Sequence, residues 1–81
     1  MKNMYTLLQI CEVWGTFDKD GSSIPYKYTK GWFAVESLND SGESVLRFTK
    51  EYKLCEGFSA KIGAKSENLL FNEKGRLYAL A

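Results

Sequence analysis

Three short stretches dense in Asp, Asn, Ser and Gly punctuate the chain: "FDKDGSS" at 17–23, "LNDSGES" at 38–44 and "NEKG" at 72–75. Residues of these types accept left-handed and Asx-type turns. The runs between them are rich in β-branched and aromatic residues. A chain of 81 residues cut in this way has room for one small domain built from short strands. No internal repeat, low-complexity tract or linker interrupts it.

Five strands are expected. The first covers roughly 4–17, with Gly15 marking a bend or bulge near its end. The second, 30–38, and the third, 44–50, form a hairpin around Asn39-Asp40-Ser41-Gly42. The fourth lies near 57–64, where Phe58, Ala60, Ile62 and Ala64 alternate with Ser59, Lys61, Gly63 and Lys65. The last element, 67–80, reads as a hairpin of "ENLLF" and "RLYALA". The stretch "TKEYKLCEG" (49–57) is the one place for a short helix, ended by Gly57. Five or six short strands with at most one short helix fit a small OB-like barrel over residues 1–81. An SH3-like barrel or a β-sandwich uses similar pieces.

Aromatic residues make up 15% of the chain. Large rings bury much area each, so part of this excess compensates for a small core. Alternation sorts the rest. On the second strand Phe33 and Val35 share one face, and Trp32, Ala34 and Glu36 the other. On the third, Leu46 and Phe48 oppose Val45, Arg47 and Thr49. Extended backbone before residue 30 puts Tyr26, Tyr28 and Lys30 on the side of Trp32. The expected core is then Phe33, Val35, Leu46, Phe48, Phe58 and Ile62. Trp32 has two readings, as a ring on the wet face or as a cap on the open end of a barrel. The first strand is apolar on both faces: Leu8, Ile10 and Trp14 oppose Leu7, Cys11 and Val13.

Rings interleaved with cations suit single-stranded nucleic acid, because bases stack on the rings and cations follow the phosphates. The expected contact set is Tyr26, Lys27, Tyr28, Lys30, Trp32, Arg47, Lys50 and Lys53. The net charge is only +1, low for a duplex-DNA binder. Charge is nevertheless segregated: Arg47, Lys50, Lys53, Lys61 and Lys65 face only Glu51 and Glu56 within 44–65.

The stretch "DGSSIPYKYTKGWFAVESLNDSGESVLRF", followed by "CEGFSAKIG" and a terminal "KGRLYALA", resembles the small OB-fold single-stranded DNA-binding proteins of filamentous phages and related mobile elements. The resemblance covers most of the chain from Asp20 onward. Three residues lie between Gly21 and Pro25, a wider spacing than in that family. The resemblance implies a homodimer that coats single-stranded DNA in the cytoplasm of a bacterial host. It implies a stacking or loop role for Tyr26 and a phosphate contact for Arg47.

No enzyme is expected. The chain contains no histidine, so the commonest general base and metal ligand is missing. Cys11 and Cys55 alone do not make a zinc site, the glycines are isolated, and no cofactor is implied. Without a secretory pattern the two thiols are expected to be reduced. No apolar run reaches the length of a membrane span. Two other readings use the same residues. Exposed Tyr, Trp and Arg also dominate protein–protein hot spots, and Asp18, Asp20, Glu36, Asp40 and Glu43 could mimic nucleic acid, so a host protein is the alternative partner. A β-domain that only dimerises is the third.

Overall fold

The computed structural model describes residues 2–81. The chain is all-β. Strands β1 (Lys2–Lys19), β2 (Ser22–Leu38), β3 (Ser44–Leu54), β4 (Lys65–Ser66), β5 (Leu69–Phe71) and β6 (Leu77–Leu80) form one sheet in the order β4-β1-β2-β3-β6-β5. Neighbours pair antiparallel except β3 and β6, which meet in parallel at Leu54 and Leu77.

The β1–β2 hairpin dominates the shape. Asp20 and Gly21 both have positive φ, 53° and 79°, the requirement of a two-residue turn whose twist matches the strands. The ladder therefore closes at Lys19↔Ser22 and runs back without a loop. This corrects the expected start of the second strand: β2 begins at Ser22, not near residue 30. Strand β3 joins β2 only from Thr29, and β4 touches β1 only at Tyr5 and Thr6. Beyond these points the hairpin is a free two-stranded arm. From Glu12 to the turn it extends roughly 26 Å at the usual rise of a strand, within a molecule of 57 × 22 × 22 Å.

A bulge between Leu7 and Gln9 shifts the register once. Leu7 lies opposite Phe33, and Ile10 opposite Gly31, on the same side of the sheet. The extra residue, Leu8, explains why the first strand looks apolar on both faces: its periodicity changes phase there. The bulge is at Leu8 and not at Gly15, where the ladder is regular.

The core sits where the C-terminal segment folds over one face of β1, β2 and β3. Leu7, Phe33, Leu54 and Leu77 are at most 3% exposed, ringed by Tyr5, Tyr52, Phe58, Ala60, Leu69 and Leu80. Val35 is also buried. Leu46, Phe48 and Ile62, expected in the core, are exposed. Leu46 and Phe48 do point to the core side, opposite Ser37 and Val35, but the C-terminal segment does not reach them. The expected helix at 49–57 is absent, because Tyr52 and Leu54 continue the ladder with β2. The expected strand at 57–64 is replaced by turns, with Phe58 N donating to Cys55 O and Ala64 N to Lys61 O.

Two asparagines build matching loops. Asn39 Oδ1 accepts from the N–H groups of Ser41 and Glu43, and Asn72 Oδ1 from those of Lys74 and Arg76. The second loop joins β5 to β6, as expected for the last hairpin, although its strands are shorter than 67–80.

Among the described residues no ladder joins β4 to β5, so the sheet is open by hydrogen bonding. It is nonetheless curled. The edge strands β4 and β5 are separated in sequence only by Glu67 and Asn68, a reach of at most about 11 Å. A flat sheet of this order would set them roughly 24 Å apart. Ser66, 5% exposed, ties the seam: its Oγ lies against the carbonyls of Asn68 and Ala81, and Asn68 N donates to it at 3.1 Å. No helix is long and apolar enough to cross a membrane among the described residues.

Candidate nucleic-acid interface

Because opposed residues in an antiparallel pair share a face, the ladder places every candidate side chain. Gly15↔Tyr26, Val13↔Tyr28, Cys11↔Lys30 and Gln9↔Trp32 lie on one side. That side continues across β3 through Lys30↔Lys53, Trp32↔Glu51 and Glu36↔Arg47. Six of the eight expected residues therefore share the outer face, away from the core: Tyr26, Tyr28, Lys30, Trp32, Arg47 and Lys53. The other two do not. Lys27 stands opposite Trp14 on the underside of the arm, and Lys50 stands opposite Phe33 on the core side. Their ammonium groups cover other rings, Lys27 over Trp14 at 5.2 Å and Lys50 over Tyr52 at 5.3 Å.

The outer face is a row of rings. Tyr26 and Tyr28 are nearly parallel, at 7° and 6.3 Å between centroids, and Phe17 packs against Tyr26 at 6.0 Å. Lys53 Nζ lies 4.9 Å from the Tyr28 ring, and Lys30 Nζ 5.3 Å from Trp32. Gly15 provides the seat for Tyr26: a Cβ there would come within 2.6 Å of the tyrosine ring. A glycine in mid-strand normally weakens it. Here the absent side chain lets the ring lie across the neighbouring strand.

Acids moderate the cations. Lys30 Nζ donates to Glu51 Oε2 at 2.7 Å, and this bond raises the lysine pKa above its ordinary value. Arg47 lies 3.5 Å from Glu36. Lys53 has no ion pair among the described residues. The acidic turn residues are elsewhere, Asp18 and Asp20 at the tip of the arm and Asp40 and Glu43 at the opposite end. Of the expected cations, Lys30 and Lys53 lie over rings of this row, while Arg47 shares the face beside Glu36, four strand positions from Trp32.

Two rings were missing from the expected set. Phe17, half exposed, extends the outer row, and Trp14, 69% exposed, is the main ring of the underside. The signal for both is the Asp20-Gly21 dipeptide. A two-residue turn fixes the pairing of 19 with 22, and hence of 17 with 24, 15 with 26 and 14 with 27.

Comparison with protein-family models, with curated proteins and with solved structures finds no match for the chain.

Proposed function

We propose that this protein binds single-stranded nucleic acid, DNA in the first instance, without catalysis. The observation that carries the reading is the outer face on which Tyr26, exposed, and Tyr28 and Trp32, half-buried, run in line with Lys30, Lys53 and Arg47. Bases stack on such rings regardless of sequence, and the cations follow the phosphates. Phosphate would draw Lys30 and Arg47 from Glu51 and Glu36, so binding is expected to be salt-sensitive and of modest strength.

The topology is compatible with an OB-like barrel. If Lys65–Phe71 is counted as one strand kinked at Glu67 and Asn68, the ring of strands runs first, second, third, fifth, fourth and back to the first. Such a five-stranded, partly open barrel uses the face of its second and third strands for oligonucleotides. The outer row lies on that face. This extends the proposal to the phage and mobile-element single-stranded DNA-binding class.

The neutralised lysine and arginine favour one rival, a protein partner that docks on the rings. The two are separated by titrating oligo-dT into the protein and following tryptophan fluorescence at low and moderate salt. Saturable quenching that weakens with salt, and falls about 5- to 150-fold in affinity for Y26A or Y28A, supports nucleic acid. Absence of binding at low salt overturns it and leaves the protein partner.

A further inference from the structure

We propose that a second copy of this chain pairs with the free edge of β3, in one register centred on Thr49. The proposal rests on this edge alone and does not depend on nucleic-acid binding.

Strand β3 is hydrogen-bonded to β2 along its length, but its other side meets β6 only at Leu54. From Leu46 to Lys53 that side is unpaired among the described residues, and Ser44–Glu51 are all exposed. A long edge is a template for another strand, and proteins blunt such edges with proline, bulges or charged side chains, lysine above all; β3 carries Arg47, Lys50, Glu51 and Lys53, so only a register that pairs these charges is open to it. In the arm, the free edge of β2 carries such an interruption at Pro25. Strand β3 has its only irregularity at the start, near Val45. Leu46 and Phe48 are 57% and 45% exposed, an apolar strip along the same edge.

The backbone restricts how two such edges can meet. Cys55 N donates to Leu77 O, across the free side. Alternate residues aim their N–H and C=O groups the same way, so Lys53, Glu51, Thr49 and Arg47 present the edge groups. In an antiparallel twofold pair these must face one another. Centring on Lys50 opposes Lys50 to its own copy and Arg47 to Lys53, like charges that disfavour pairing. Centring on Phe48 opposes Arg47 to Thr49 and leaves Glu51 against Val45. Centring on Thr49 opposes Arg47 to Glu51 twice, Leu46 to Tyr52 twice, and Phe48 to Lys50 twice. Only this register satisfies both charges and covers Leu46 with a ring. It makes about six ladder hydrogen bonds. Because Arg47 and Glu51 lie on the outer face with Glu36 and Lys30, charges of alternating sign would then run across the joint.

Sedimentation velocity over a range of protein concentrations reads the association, and cysteine cross-linking reads the register. In a C11S/C55S background, T49C is expected to form a disulfide-linked dimer. The Cα atoms of a directly opposed hydrogen-bonded pair lie about 5.5 Å apart, within disulfide range. F48C and K50C are expected to cross-link at least tenfold more slowly. R47E and E51R should each be monomeric alone and associate when mixed, because the mixed pair opposes Glu to Arg at both sites; this complementation separates a charge effect from misfolding. A monomer at all concentrations overturns the proposal. So does faster cross-linking of F48C or K50C than of T49C.

Discussion

At the residue scale, two side chains make distinct predictions. Tyr52 is packed between Phe33 and Phe71, and burial, followed by the nearby Tyr5 phenol, raises its pKa above the ordinary value of 10.0. The folded state therefore keeps this proton when the unfolded state has lost it. The contribution to stability is complete below about pH 10 and is lost as pH rises through the folded pKa. Urea midpoints measured between pH 9 and 11.5 should fall less steeply for Y52F than for the wild type. Equal slopes would mean that Tyr52 ionises as freely when folded. The second is Gly15. With the Tyr26 ring over it, a Gly15 α-proton resonance should be shifted upfield by the ring current, and Y26A should abolish the shift. G15A should displace the ring and weaken oligo-dT binding about as much as Y26A does. An unshifted Gly15 resonance would contradict the seat.

The alignment of Tyr26, Tyr28, Lys30 and Trp32 was readable from period two alone, since the backbone stays extended through Pro25. The failure at Lys27 and Lys50 was readable from the same rule: each is one residue out of phase with the rings. Residue type drew them into the set, and residue type is blind to which way a side chain points. Leu46 and Phe48 show the complementary limit. Their face was legible, but burial depends on whether another segment reaches them.

At the scale of the element, the arm depends on its turn. Gly21 takes a left-handed conformation, and nothing lies within 4 Å of where a Cβ would sit, so G21A costs only backbone strain, about 1–2 kcal/mol. In a two-stranded ribbon with little other support, that loss should appear locally. Amide exchange in 12–29 should accelerate by about 5- to 30-fold, while exchange at Leu7 and Phe33 changes little. Equal acceleration in the core would mean that arm and base unfold as one unit. The Asp20-Gly21 turn is legible in the sequence, but the ladder after it is not, because a proline four residues on also suits a loop. The Leu8 bulge carries no residue signature and follows from the shape of the base, where Gly63 N donates to Leu7 O. The same base stops the alternating 57–64 run from becoming a strand, since its turns must carry the chain back to β1.

At the scale of the molecule, an all-β chain in one domain-sized sheet was legible from turn spacing and β-rich runs. The degree of closure was not, because it depends on a seam at Glu67 and Asn68 made by Ser66 and the last residue. Charge acts at this scale too. With net charge of +1, long-range attraction of nucleic acid would be weak, so the proposed binding rests on the local face. K53A should therefore reduce the salt dependence of binding by about 0.7 in slope, and K50A, on the other side of the sheet, by much less. Equal effects would point to general charge and not to a face.

The most direct test uses the two tryptophans, which lie on opposite faces of the sheet. W14F leaves Trp32 on the outer row as the reporter, and W32F leaves Trp14 on the underside. Oligo-dT at low salt should quench the W14F protein strongly and saturably. The W32F protein should show little quenching and weaker binding. Strong quenching of Trp14 with Trp32 unaffected would place the ligand on the underside and contradict the outer face as the binding surface.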